Sequence, residues 1–427
     1  MKKNALAALY EKDGTKKVLS SLISIVAGLL VGGIAVLIVG LFNEKISLSG
    51  AWDGIRIIFA GIFSTGRDAA GTLTWGFNAV NLGNMLFRAT PLIMTGLSVA
   101  VAFKTGLFNI GAPGQYLIST MVTLMVALSI PSSAVPVGVI WVLAFLAGCL
   151  SGALWGAIPG LVKALLNINE VLACIMTNWI AANIVSWVFK VADAKFINYA
   201  ETKVNFICKT ATKGISTPTL GLDSLFSNGF MNSYMDISIF IASAIAVAMY
   251  VMINKTTFGF ELKACGYNRN AAKYAGMNEH RNIMLSMAIA GGLAAGGAAL
   301  WCLNGHQDFS WNTYLSLPAD GFNGIPVALL ASNNPIGVIF SSLFLRYINA
   351  GGSNLSAQTP FNEYVSELIV AMIIYFAGFS KFIKERLARR TAEKAQAPLS
   401  ASDANDSSAD SADGNDDGDA HAEGDEE

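Results

Sequence analysis

The sequence predicts an all-α, polytopic membrane protein of about ten transmembrane helices, some of them broken, with both termini in the cytoplasm. Three observations predict it. Of 427 residues, 53% are hydrophobic and only 13% charged, where soluble domains carry about 25% charge; mean hydropathy is +0.51. Ten apolar stretches approach the ~20 residues that a spanning helix needs. Basic residues gather at both ends, at Lys2, Lys3, Lys12, Lys16 and Lys17 and again at Lys381, Lys384, Arg386, Arg389 and Arg390, as expected of cytoplasmic flanks.

The predicted layout is a cytoplasmic N-terminus over 1–17, a transmembrane domain over 18–390 and an acidic tail over 391–427. The first span, 18–41, follows a basic flank but is too long for a signal h-region and lacks a clear small-residue cleavage site, so it reads as an uncleaved anchor. The others are expected at 82–104, 112–131, 135–161, 170–191, 235–253, 282–303, 321–333, 335–350 and 364–380. The eighth and ninth are short and carry Gly and Pro, so partial or broken spans are expected there. This count puts 43–81, 192–234 and 304–320 outside. It puts 254–281 inside, where Lys255, Lys263, Arg269, Lys273 and Arg281 lie. Within the fourth span Gly148, Gly152, Gly156 and Gly160 line one face, and Gly292 and Gly296 do so in the seventh. Such faces let helix backbones approach closely.

One break stands out. "LFNIGAPGQYLIST", 107–120, sits between two apolar runs. Gly111, Pro113 and Gly114 interrupt a helix, and freed backbone groups at membrane depth need partners. Asn109 and Gln115 could supply them or contact a polar solute. Two readings follow, a joint that serves packing or a break beside a translocation pathway.

Several function classes are excluded. There is no GxxxxGK[ST] motif and no Gly-Lys dipeptide, so the chain has no P-loop of its own. The five cysteines are scattered and His280, His306 and His421 lie far apart, a pattern of neither zinc sites nor disulfide frameworks. Intramembrane acids, the usual mark of ion coupling, are few, with Glu170 and Glu367 near span starts. Arg88 and Arg346 read as snorkelling or interhelically paired cations. After Lys394 there is no Lys or Arg but 8 Asp and 3 Glu. That tail has the composition of a disordered segment.

The loop at 254–281 is the most informative polar stretch. Asn268 suits an N-cap for a short helix over 269–275, and Gly276 suits its end. Ala271, Ala272 and Ala275 would form a small flat face with Tyr274 beside it. So short a helix is marginal alone, which fits either an ordinary loop helix or a piece that docks in another protein's groove.

"ACGYNRNAAKYAGMN", 264–278, resembles the coupling-helix segment of ABC-importer permeases of the branched-chain amino acid, ribose and nucleoside group. Their Gly-x-Asn-x-x-Ala-Ala-x-x-x-Gly pattern is met by Gly266, Asn268, Ala271, Ala272 and Gly276. Blocks at 89–119, 169–181 and 321–339 resemble the nucleoside branch, in matching order. One departure is Pro113, where that branch commonly has Glu. The resemblance implies a permease subunit of the bacterial plasma membrane that imports nucleosides, with no catalytic site and no cofactor of its own. It implies a second permease, two ATPase subunits at the coupling helices and an extracytoplasmic substrate-binding lipoprotein. Candidate pathway residues are Asn109, Gly111, Gln115, Asn178, Trp179 and Asn323. They suit a neutral solute with hydroxyls and amides, and Trp179 could stack on a base or belong to an interfacial belt. The alternatives are a simple sugar such as ribose as cargo, or a stand-alone ion-coupled carrier.

Overall fold

A computed structural model describes residues 13–42, 46–192, 196–198, 203–229, 231–311, 316–362 and 364–379, with 382–383 and 385–386. The predicted acidic tail lies outside the described residues, as does most of the predicted N-terminal segment. The chain divides into two units, 24–378 and one drawn from 1–23 and 379–427.

The first unit is a helical bundle. Its helices are α1 (Asp13–Leu41, which begins in the other unit), α2 (Leu48–Ala60), α3 (Ala79–Lys104), α4 (Ala112–Ser129), α5 (Val137–Leu166) and α6 (Glu170–Lys190). After a long loop come α7 (Ser238–Lys255), α8 (Thr257–Tyr267), α9 (Arg269–Tyr274), α10 (Glu279–Leu303), α11 (Ala319–Leu330), α12 (Pro335–Gln358) and α13 (Tyr364–Gly378). Strictly all-α is a correction to make. Ser64–Arg67 and Leu73–Trp75 form an antiparallel hairpin, and Ile197–Asn198, Lys203–Ile207 and Phe309–Ser310 a three-stranded sheet. All lie in segments that the sequence assigns to loops.

Among the described residues seven helices are long and apolar enough to cross a membrane, counting α1 from Leu19. The eighth and ninth predicted spans are α11 and α12, which meet at a bend of 118° and count together as at most one span. Twelve residues of α11 rise only about 18 Å, short of the ~30 Å hydrocarbon core. The bend is built locally. Ser332 and Asn333 take positive φ, and Asn334 caps α12 by accepting from the Ile336 and Gly337 amides. The apolar part of α13 is likewise short.

Helix α10 is the hub, with α5, α3 and α4 packed on it. The glycines of α5 make the closest seam. A Cβ on Gly152 would collide with Ala295, one on Gly156 would lie 2.6 Å from the Met287 carbonyl, and one on Gly291 would strike the Gly152 carbonyl. The face expected from α5 is therefore present, but α10 answers it mainly with Gly291 and Ala295. Gly296 meets α5 at Cys149 and also lies against Met94 of α3. On its other side α5 exposes Leu146, Leu150, Leu154 and Ile158, an apolar stripe suited to lipid. Helix α3 is buried almost throughout from Phe87 to Ala102, consistent with a helix apolar on every face.

Candidate functional site: a helix joint, two cavities and a surface loop

Helix α3 ends at Lys104, and Gly106 turns the chain with φ of 71°. Helix α4 restarts at Ala112, with Pro113 in its first turn. Proline is favoured there, because its missing N–H would be unpaired anyway. Pro113 thus starts α4, and the break itself is 105–111, upstream of where the proline suggested. The Asn109 Nδ2 donates to Ser98 Oγ (3.0 Å) and to Gln115 Oε1 (2.9 Å), while Gln115 Nε2 donates back to Asn109 Oδ1 (3.1 Å). The Gly111 amide donates to that same Oδ1 at 3.1 Å. From α6, Asn178 clamps the joint at both ends: its Oδ1 accepts from the Gly114 amide (2.9 Å), and its Nδ2 donates to the Ile110 carbonyl (3.0 Å).

Four of the six predicted pathway residues, Asn109, Gly111, Gln115 and Asn178, are thus brought together, all buried. Trp179 is not among them. It is 54% exposed, on the same outward stripe of α6 as Leu172, Ile175 and Met176. Asn323 sits half-buried on α11. That helix approaches the joint through Gly321, whose Cβ would lie 2.5 Å from Pro113 Cα.

Two cavities lie beyond the joint. One, of about 240 Å³, is framed by Tyr116, Thr120, Trp301, Gln307, Asp308 and Asp320. The other, of about 150 Å³, lies between α3 and α12 and is lined by Asn81, Asn84, Arg88, Arg346, Asn349 and Ser353. An Asp320–Arg346 ion pair joins their linings, and Arg346 Nε donates to the Arg88 carbonyl at 2.9 Å. Arg346 is therefore interhelically paired, as the sequence allowed. The second cavity was not foreseen, although its residues recur at helical spacing on both helices.

The loop at 254–281 folds as expected in outline. The Asn268 Oδ1 accepts from the Ala271 amide at 3.0 Å, capping α9, and Gly276 takes φ of 81° just after it. Helix α9 ends one residue earlier than predicted, and its face is different. Ala272 is only 3% exposed, so it packs inward and is not offered to a partner. Ala271 and Ala275 are exposed, and Tyr274 and Tyr267 project at 93% and 97% exposure. Tyr267 was missed. An aromatic one residue before an N-cap in a polar loop is the available signal. Arg269 Nε bonds Glu279 Oε2 at 2.5 Å, tying α9 to the start of α10. Gly266 rests on the joint itself, since a Cβ there would collide with the Lys104 carbonyl and lie 2.9 Å from the Gly106 amide.

The sequence has clear relatives. It is 33% identical to the nucleoside ABC transporter permease protein NupB of Lactococcus lactis subsp. cremoris, across 89% of this chain and 96% of that protein. It is 31% identical to the guanosine ABC transporter permease protein NupP of Bacillus subtilis, across 87% and 97%. It is 29% identical to the glucose ABC transporter permease protein TsgB13 of Haloferax volcanii, across 73% and 79%. The family model of the branched-chain amino acid transport system permease component matches residues 81–377, the joint, both cavities and the loop included. With its apolar spans, the chain therefore belongs to that permease family, as a multi-pass protein of the bacterial plasma membrane.

Proposed function

We propose that the chain is the transmembrane permease subunit of an ATP-driven ABC importer that carries nucleosides into the cell. The observation that carries this reading is the similarity, over nearly the whole chain, to permeases named for nucleoside and guanosine transport. The glucose permease is less similar over less of the chain, so a sugar such as ribose is the weaker cargo. ATP hydrolysis belongs to partner ATPase subunits.

In this reading both termini face the cytoplasm. Among the described residues six of the seven long apolar helices precede 254–281, an even number that supports a cytoplasmic position for that loop. ATPase subunits dock on its exposed Tyr267, Ala271, Tyr274 and Ala275. Gly266, Asn268 and Gly276 shape it, and Ala272 anchors it from within. A second permease completes the pathway, and an extracytoplasmic lipoprotein delivers the solute. Asn109, Gly111, Gln115 and Asn178 act as a braced wall of that pathway, because they spend their polar groups on one another. Asn323 lies half-buried on α11, and the exposed Trp179 faces lipid or the second permease.

The test is uptake of labelled adenosine, guanosine, uridine, ribose and glucose in cells with and without the intact gene. The reading expects gene-dependent nucleoside uptake that survives a proton ionophore and is lost when the partner ATPase is inactivated. Uptake that collapses with the ion gradient and ignores the ATPase would support the ion-coupled alternative instead.

A further inference from the structure

Helices α3 and α12 turn polar faces toward one cavity. Residues 81, 84, 85 and 88 lie at i, i+3, i+4 and i+7, and so do 346, 349, 350 and 353; the eight line the space together. That spacing stacks side chains on one helix face. From Arg88 and Asn81 to Lys104 is about 24–35 Å along α3, at ~1.5 Å per residue. The cavity is thus at the far end of the bundle from the loop that holds Gly266.

Some of these polar groups are already used. Asn84 Oδ1 accepts from the Tyr234 amide at 2.9 Å. Asn354 Nδ2 donates to the Gly61 carbonyl at 2.8 Å. Arg346 is paired with Asp320. Others are not. Among the described residues the side chains of Asn81, Asn349 and Arg88 have no hydrogen-bond or ion-pair partner, and the Oδ1 of Asn349 is a buried atom without one. Arg88 is exposed and Asn81 and Asn349 are half-buried, so the Asn349 Oδ1 alone bears the cost of a buried polar atom left unpaired. A free guanidinium and two amides gathered on one cavity of a spanning bundle point to a ligand.

The chemistry of the three groups narrows that ligand. A carboxamide offers a donor beside an acceptor and pairs two-pronged with a base edge of the same kind, as asparagine does with adenine. A guanidinium fork matches two adjacent acceptors, as arginine does with the O6 and N7 of guanine. Asp320 neutralises Arg346, which leaves Arg88 as the one uncompensated cation lining the cavity. Two amides and one cation suit a neutral, acceptor-rich base better than a phosphate.

Resting on the nucleoside reading above, we propose that this cavity is the base-recognition subsite of the permease, in which Asn81, Asn349 and Arg88 select purine over pyrimidine nucleosides. The experiment compares initial uptake of labelled guanosine and uridine by the complete transporter in cells, normalised to permease in the membrane. Arg88→Met removes the fork. Arg88→Lys and Asn349→Asp keep size and polarity and serve if Arg88→Met fails to reach the membrane. The guanosine-to-uridine ratio is expected to fall about tenfold in Arg88→Met and measurably in the other two, the order of effect of one two-pronged base contact. Unchanged ratios in Arg88→Lys and Asn349→Asp, with wild-type uptake intact, overturn the subsite alone. Wild-type cells that move neither nucleoside overturn the nucleoside reading itself. Guanosine monophosphate competing more strongly than guanosine overturns the neutral-base assignment.

Discussion

Replacing Gly266 by alanine tests whether the surface loop drives the joint. The new Cβ would collide with the Lys104 carbonyl and lie 2.9 Å from both the Gly106 amide nitrogen and the Thr105 carbonyl carbon. All three neighbours are backbone, so no side chain can swing aside, and the loop must lift from the turn at 105–106. Overpacking of this kind costs about 1–3 kcal/mol, which shifts the seated population of the loop about 5- to 150-fold. Spanning helices remote from the contact are untouched, so the permease should insert normally. The assay measures ATP hydrolysis and solute uptake side by side in the purified transporter in liposomes. Gly266→Ala should lower uptake per ATP about tenfold. Gly276→Ala is the control. A Cβ there meets nothing within 4 Å, and the change adds only the left-handed strain of φ at 81°, on the order of 1 kcal/mol. Wild-type uptake per ATP in Gly266→Ala would refute the idea that this contact transmits motion.

Three further sites give expected outcomes, the last with two controls. Gly152→Leu drives a side chain into Ala295 and the Gly291 carbonyl, a strain at or above the ~3 kcal/mol end of overpacking, so permease should vanish from the membrane by immunoblot. Asn109→Leu removes partners from Ser98, Gln115 and the Gly111 amide, at about 1–3 kcal/mol for each group left unpaired; a thermal melt in detergent should fall by several degrees, and an unchanged melt contradicts the bracing role. Ala271→Arg adds bulk and charge on the exposed side of α9, so the ATPase should fail to co-purify while the permease stays folded. Ala272→Arg, at a buried position, should instead unsettle the loop itself, and Lys255→Ala should change neither.

Much of this architecture was legible in the sequence, and the limits have physical causes. The glycine face of α5 could be read because four small residues share one period. Its partner residues could not, since the rotation of α10 is set by all its neighbours and brings Gly291 and Ala295 to the seam. The joint announced itself through Asn109, Gly111 and Pro113. That Asn178 holds it across 64 residues of sequence is a tertiary fact. The inward turn of Ala272 escaped because a six-residue helix has too few turns to define a face. The smaller cavity escaped because its two half-faces are 258 residues apart, each looking like an ordinary polar helix end. At α11 and α12 the Gly and Pro content signalled a partial or broken span, but the 118° bend is made by Ser332 and Asn333, which composition does not mark. The small strands are only two to five residues long, below what alternation of polarity can signal.

The seam between α5 and α10 has a mechanical consequence. Two backbones in contact have no rotamers to exchange, so the pair cannot yield by repacking and moves as one strut. Helix α10 is anchored to α9 at one end through Glu279. At the other end Trp301 and Cys302 border the larger cavity. Its 25 residues make a push-rod about 37 Å long. Stiffened along its length, it would carry a displacement applied at the near end to the far one, with little lost to compliance on the way.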